Sequence, residues 1–75
     1  MTHEMKTRVV CKDFIRHYCK GQVVDSIQAS LQLEDVWGLK VDWHEMTNAL
    51  EALTQSDEAE RSGEGPDRHA YYLIR

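Results

Sequence analysis

Hydrophobic and polar positions repeat with a helical period near the start of the chain. In residues 8–20, which read "RVVCKDFIRHYCK", the apolar side chains fill one arc of a helical wheel, and basic side chains lie beside one another on the other. Gly21 stands where such a helix would stop. The pattern therefore predicts an amphipathic helix over residues 8–20. Its apolar arc consists of Val10, Cys11, Phe14, Ile15, Tyr18 and Cys19, and its basic stripe consists of Lys12, Arg16 and Lys20.

The second piece of the chain, residues 22–33, predicts a short extended stretch followed by a helix. Two adjacent valines open the piece, and Asp25 or Ser26 then provides a cap for a helix. Apolar residues recur at helical spacing through the rest of the piece. These residues are Val24, Ile27 and Leu31.

A third helix is predicted after a turn around Trp37 and Gly38 and a brief strand over residues 39–41. Asp42 is followed three residues later by Glu45, which is the capping-box pattern of a helix start. The apolar stripe of this helix is Trp43, Met46, Leu50 and Leu53, and its opposite face carries His44, Asn48, Glu51 and Gln55.

The end of the chain favours a turn and a strand. The charged stretch "SDEAER" has few apolar residues, so we expect the third helix to fray there. The glycines of "SGEGP" indicate a turn, and residues 69–74 predict a strand because aromatic and β-branched residues favour a pleated surface. Since side chains alternate along a strand, only one pair enters the core. That pair is either Tyr72 and Ile74 or Tyr71 and Leu73.

The order of these elements resembles that of a winged-helix domain, and the ending "GPDRHAYYLIR" looks like the second strand of the wing. Over residues 8–75 the resemblance implies an α+β fold, in which three helices pack against a small antiparallel sheet closed by the C-terminal strand. Two features differ from that pattern: the connection over residues 34–41 is long, and "SDEAER" does not alternate. The last strand pairs with "SDEAER" in a wing, or else with residues 39–41 or 23–24. The alternative is three helices and a small sheet without a true helix-turn-helix.

Length and composition indicate a single domain. The chain has 75 residues, of which 41% are hydrophobic, as in ordinary globular proteins. No apolar run approaches the roughly 20 residues that span a bilayer. We therefore expect one domain over residues 1–75, with a flexible segment over residues 1–7, in a soluble cytoplasmic protein that binds no membrane.

The sequence offers no pattern for catalysis. Cys11 and Cys19 are too few and too widely spaced for a tetrahedral metal site, and we interpret them as buried thiols. About 12 Å of helical rise between them exceeds the roughly 7 Å limit for a disulfide. The glycines of "SGEGP" do not follow a phosphate-loop spacing. We expect no enzyme, no cofactor, no metal and no small-molecule substrate.

The resemblance implies binding to double-stranded DNA through the third helix and the wing. Charge is unevenly distributed: residues 1–24 carry five basic and two acidic side chains, whereas residues 25–75 carry four and eleven. The third helix itself contains no Lys or Arg, so backbone contacts would come from its surroundings. The first hypothesis is a dimeric transcription regulator. Its DNA-binding candidates are Lys40, Thr47, Asn48, Gln55, Arg61 and Arg68.

The second hypothesis is an acidic winged-helix-like module that binds another protein, as an adaptor or as an inhibitor that resembles nucleic acid in charge. The basic stripe of the first helix would suit an acidic partner, including a second copy of this chain in a homodimer. Trp37 is a candidate for either the core or an interface. We predict that Tyr18 and Trp43 pack in the core.

Overall fold

Three helices and three strands make up the fold in the computed structural model, which describes residues 3–65 and 70–75, with side chains from residue 7 onward. The elements in order are α1 (His3–Tyr18), β1 (Val23–Val24), α2 (Ser26–Trp37), α3 (Trp43–Gln55), β2 (Ala59–Glu64) and β3 (Ala70–Ile74). The predicted α+β class is confirmed.

The three strands form one antiparallel sheet in the order β1-β3-β2. The C-terminal strand is therefore the central one: Leu73 lies opposite Val23 on one side and Glu60 on the other. The sequence offered "SDEAER", residues 39–41 and residues 23–24 as alternative partners of the last strand. Strand β3 pairs with residues 23–24 on one side and with Ala59–Glu64, which includes the end of "SDEAER", on the other. Helices and sheet in this order are compatible with a winged-helix-like topology.

Aspartate caps begin the second and third helices. Asp25 accepts a hydrogen bond from the backbone N–H of Gln28, and Asp42 accepts one from the backbone N–H of His44. Each bond satisfies an N–H group that the first helical turn leaves without a partner. The predicted helix start at Asp42 is confirmed, and of the two residues proposed as the cap of α2, Asp25 is the one used.

The core lies between the three helices and the sheet. On β3 the alternation is settled, because Tyr72 and Ile74 are buried whereas Tyr71 and Leu73 are half-buried. One face of α1 and one face of α3 supply most of the remaining core side chains. The buried apolar residues are Cys11, Phe14, Ile15, Cys19, Val24, Ala29, Leu33, Met46, Ala49, Leu50, Leu53, Ala59, Tyr72 and Ile74.

Several predicted boundaries were wrong. Helix α1 begins at His3 rather than at residue 8, and α2 continues to Trp37 rather than ending at residue 33. Residues 39–41 are not a strand. Of the two expectations for "SDEAER", fraying or pairing with the last strand, pairing is observed from Ala59 onward. Strand β2 also extends through Glu64, into the stretch predicted as a turn, because backbone pairing with β3 holds it extended without an alternating apolar pattern. The predicted strand start at His69 lies outside the described residues.

Two predicted core aromatics are exposed. Tyr18 retains 46% and Trp43 retains 40% of their accessible surface, although both belong to apolar stripes on the helical wheel. Each lies at an end of its helix, where the core no longer covers it. Helix α2 also departs from the predicted apolar spacing: it buries Ser26, Ala29 and Leu33, and leaves Ile27 and Leu31 exposed.

Candidate functional site

The exposed face of α3 carries some of the residues predicted to bind DNA. Asn48 and Gln55 are both exposed and lie seven residues apart, which places them on the same face of the helix. Lys40 is exposed in the connection before the helix. Thr47 is half-buried, and its hydroxyl donates a hydrogen bond to the Trp43 carbonyl, 2.9 Å away. The structure therefore brings Asn48 and Gln55 together, and it turns Thr47 back onto its own helix.

Arg61, predicted to contact phosphate, pairs with a carboxylate of α3. Its Nη2 donates to Oε1 of Glu51 over 3.1 Å, and the Tyr72 hydroxyl donates to the same oxygen over 2.7 Å. The interactions with Tyr72 and Glu51 raise the pKa of Arg61, and burial together with Glu51 raises the pKa of the Tyr72 hydroxyl. These bonds join β2, β3 and α3. Arg68, the other wing candidate, lies outside the described residues.

The basic stripe of α1 is interrupted at its centre. Arg16 donates two hydrogen bonds to Glu58, from Nε over 2.8 Å and from Nη2 over 2.9 Å, and its Nη1 lies 3.4 Å from Asp13. Since a bidentate pair of this kind fixes both planar groups, Arg16 is held by its own chain. Of the predicted basic stripe, Arg16 is thus engaged within the chain, and the acidic partner proposed for Lys12, Arg16 and Lys20 stays a prediction. Lys20 remains exposed, and Lys12 is half-buried.

Glu58 lies at the centre of this small network. Besides the two bonds from Arg16, its Oε2 accepts a 2.7 Å hydrogen bond from the Ser56 hydroxyl. The hydrogen bonds from Arg16, followed by the one from Ser56, lower the pKa of Glu58 from its ordinary 4.5 to about 2. Arg75 forms a similar pair with Glu60 at 2.8 Å. Within residues 7–65 and 70–75, the three arginines on or next to the sheet surface, Arg16, Arg61 and Arg75, are thus matched with carboxylates.

Exposed apolar side chains concentrate on one part of the chain. Of the nine large hydrophobic side chains that are exposed among the described residues, seven belong to residues 23–43. Trp37 retains 45% of its surface while one edge lies against buried Phe14, with ring centroids 5.1 Å apart. Tyr18 stacks on the same ring at 5.0 Å. The seven residues, named here the apolar segment, are Val23, Ile27, Leu31, Val36, Trp37, Leu39 and Trp43.

Sequence reasoning missed a polar-aromatic group at the start of α3. The rings of Trp43 and His44 stack with centroids 3.8 Å apart, and His44 Nδ1 lies 3.1 Å from Asp42 Oδ1. The bond from the His44 backbone N–H is the main reason that the pKa of Asp42 is lowered. The signal in the sequence was an aromatic pair next to a helix-capping aspartate. The stacked rings add to the exposed surface at the end of the apolar segment.

The two cysteines are free and buried. Burial, with a smaller contribution from the charge of Glu45, raises the pKa of the Cys11 thiol to about 11, and burial also raises the pKa of Cys19. The Cys19 thiol points toward Gln32 Oε1, 3.6 Å away. Since the thiolate is the reactive form, both groups behave as apolar packing residues near neutral pH.

Among the side chains that the structure describes, no group of three or more His, Cys, Asp or Glu lies close enough together to hold a metal ion. Within the same residues, no helix has the length and hydrophobicity required to cross a membrane. Comparison of the chain with models of known protein families, with curated proteins and with solved structures found no match.

Proposed function

We propose that this chain is a winged-helix-like interaction module that binds another protein, as an adaptor or an inhibitor. The observation that supports this proposal is the apolar segment, which places seven of the nine large exposed hydrophobic side chains within residues 23–43. Large apolar side chains that stay in water cost free energy, which a partner recovers by burying them, so a segment rich in them is a candidate for binding another protein.

The two tryptophans of the segment suit such a contact. Trp37 and Trp43 each expose 40% or more of their surface, and each is oriented by a neighbouring ring. Tryptophan is enriched among the residues that dominate binding energy, since it combines a large apolar area with few rotatable bonds. A ring already held in place loses little freedom on binding. These side chains are therefore suitable anchors for a partner.

The charge around α3 argues against duplex DNA as the partner. Affinity for DNA depends chiefly on cations that neutralise phosphates. Helix α3 contains no Lys or Arg and carries Glu45 and Glu51, and Arg61 beside it is paired with Glu51. If this face bound DNA, Arg61 would have to leave the Glu51 carboxylate and pair with a phosphate instead. The freed Glu51 carboxylate would then repel the same phosphate, so the exchange would gain little free energy.

A second candidate function, a DNA-binding transcription regulator of the winged-helix type, is supported by a different observation. The element order and the β1-β3-β2 sheet are compatible with that topology. Asn48 and Gln55, on the exposed face of α3, are side chains that can pair with adenine edges. Lys40 would supply a phosphate contact at one end of the helix.

A titration with labelled random duplex DNA at about 50 mM salt separates the two functions. The interaction module should give no saturable change in fluorescence anisotropy. A DNA-binding protein should bind at this salt and lose affinity steeply as salt increases. Saturable, salt-sensitive binding by the wild-type chain would contradict our proposal and support the regulator.

Site-specific photo-crosslinking in the native cell tests the interaction itself. A photoreactive residue at Leu31 or Trp37, both exposed in the apolar segment, should capture one discrete partner that mass spectrometry identifies. The same residue at Gln55, exposed on α3, is the matched control and should not capture it. Equal capture from both surfaces, or none from the apolar segment, would argue against the proposal.

A further inference from the structure

Helix α2 exposes an apolar pair flanked by carboxylates. Ile27 and Leu31 are one turn apart, and Glu34 and Asp35 follow Leu31 at the next turn, so the four side chains occupy one continuous arc of the helix. All four are exposed, Leu31 by 62%. We name this arc the α2 outer strip.

The fold leaves the α2 outer strip on the side of the helix that faces away from the core. The buried positions of α2 are Ser26, Ala29 and Leu33, two of which are small, so the helix packs inward through a narrow face. Ile27 and Leu31 therefore contribute little to the core of the isolated domain. They remain available as a ridge with four-residue spacing, the geometry by which one helix packs into the groove of another.

The acidic residues of the strip are placed where they destabilise α2 on its own. Glu34 and Asp35 lie in the last turn, next to the negative end of the helix dipole, and that turn contains no basic residue. Neither carboxylate forms an ion pair with another side chain that the structure describes. Positive charge from outside the chain would relieve this repulsion. Two features of the strip therefore attract a cationic ligand: its carboxylates and the negative end of the helix dipole.

A second copy of this chain does not fit the strip through two-fold contact. Helix α2 contains no Lys or Arg, and residues 23–43 together carry four acidic residues and one basic residue, Lys40. Two strips facing each other would bring like charges together across an interface, which is unfavourable. The complementary surface is apolar residues at helical spacing flanked by Lys or Arg.

We infer that the α2 outer strip binds a basic amphipathic helix of a different protein, an inference that rests on the proposed interaction function. In this complex, Ile27 and Leu31 would pack against the apolar stripe of the partner helix, and its Lys or Arg side chains would pair with Glu34 and Asp35. Burial of the aliphatic pair supplies affinity, and the charges select a basic partner and speed its encounter.

The test uses two labelled helical peptides of about 14 residues with identical leucine positions, one with lysines and one with glutamates at the polar positions. Fluorescence anisotropy with the full chain should show that the lysine peptide binds at least about tenfold more tightly than the glutamate peptide. Leu31→Ala should weaken the lysine peptide about fivefold or more, because it removes the most exposed apolar contact.

A charge-matched pair of variants separates a specific site from general attraction to an acidic protein. Glu34→Gln/Asp35→Asn should lower affinity for the lysine peptide about fivefold. Asp57→Asn/Glu64→Gln removes the same two negative charges at exposed positions outside α2, and should lower affinity for the lysine peptide at most about twofold. Equal losses in the two double variants would overturn the inference.

Three further outcomes are informative. Equal binding of both peptides, weakened by Leu31→Ala, would overturn the basic-partner inference while leaving an apolar interaction site in place. A concentration-dependent dimer in sedimentation that Leu31→Ala abolishes would assign the strip to a second copy instead. Failure of both peptides to bind would overturn the inference alone if photo-crosslinking from Trp37 still captures a partner, and the proposed function as well if it does not.

Discussion

Arg16 and Glu58 join two parts of the chain that are 42 residues apart. Their two parallel hydrogen bonds connect α1 to the turn before β2, and the Ser56 hydroxyl donates a third hydrogen bond to the carboxylate. Isolated surface ion pairs contribute little, but bidentate geometry with a third donor is a more favourable case. The pair therefore holds the start of the β2–β3 hairpin against the first helix.

The pKa of Glu58 gives this contact a pH dependence. Because its pKa is lowered from 4.5 to about 2 on folding, its stabilisation is fully present above about pH 5 and is lost as pH falls toward 2. Glu58→Gln should therefore lower the thermal midpoint at pH 7, and the difference from wild type should shrink to near zero by about pH 2. Circular dichroism melts across this range measure the effect.

Glu34→Gln is the control for this prediction, because it neutralises another glutamate in the same way, and Glu34 forms no ion pair with a described side chain. Because this change removes a negative charge from the C-terminal end of α2, it should leave the thermal midpoint at pH 7 unchanged or raise it slightly, and should not lower it. A pH-independent difference between Glu58→Gln and wild type would show that the ionised carboxylate is not the stabilising group.

Buried thiols predict slow chemical modification. With the pKa of Cys11 raised to about 11 and both cysteines buried, the native chain should react with a disulfide reagent at pH 8 far more slowly than the chain in guanidinium. The reaction should be limited by opening of the core. The absorbance of the thiolate released by the reagent measures the rate. Rapid modification of the native chain would contradict the burial of these groups.

At the scale of elements, the end of α2 depends on one glycine. Gly38 adopts φ +70°, and its N–H donates to the Glu34 carbonyl over 3.0 Å, closing the helix before the connection to α3. A side chain at this position would meet no atom within 4 Å, so its cost would come from the backbone conformation alone. This glycine therefore sets the direction in which the chain leaves α2 toward Leu39 and the start of α3.

Gly38→Ala should therefore destabilise the domain by about 1 kcal/mol, the cost of placing an L-residue in the left-handed region. Gly38→Asn should cost less, because asparagine adopts this conformation more readily. Urea unfolding followed by circular dichroism measures both. Equal stability of wild type and Gly38→Ala would show that the helix ends by another geometry in solution.

The elements that could be predicted from the sequence are those with a side-chain period. Helices α1 and α3 and strand β3 have one, and their buried faces follow it, including Tyr72 and Ile74. Strand β2 has none: after Ala59 its residues are all exposed, and only pairing with β3 makes it a strand. The apolar period of α2 was misleading because Ile27 and Leu31 face solvent.

The candidate site was less predictable than the fold for a related reason. Helical spacing places Arg16 among basic neighbours and Arg61 near the wing, but their carboxylate partners come from other elements. Only tertiary packing brings Glu58 and Glu51 to them. Exposure of Trp37 was one of two alternatives, since the predicted second helix ended at residue 33 and left Trp37 in a connection, where no period indicates the direction of a side chain.

For the whole molecule, charge rather than shape should limit DNA binding. Asn48→Lys/Gln55→Lys places two cations on the exposed face of α3, next to the paired Glu51 and Arg61. If α3 occupies the position of a DNA-reading helix, this variant should gain affinity for random duplex DNA at about 50 mM salt. The logarithmic salt dependence should steepen by up to about 2, or roughly 0.9 per phosphate contact.

Gln22→Lys/Gln28→Lys is the matched variant, since it adds the same charge at exposed positions before and on α2. General attraction to DNA would raise the affinity of both variants alike. A gain confined to Asn48→Lys/Gln55→Lys would instead mean that α3 fits a groove and that the wild-type chain lacks only the cations. That result would show that α3 has the geometry of a DNA-reading helix and that the carboxylates of Glu45 and Glu51 oppose DNA binding in the wild-type chain.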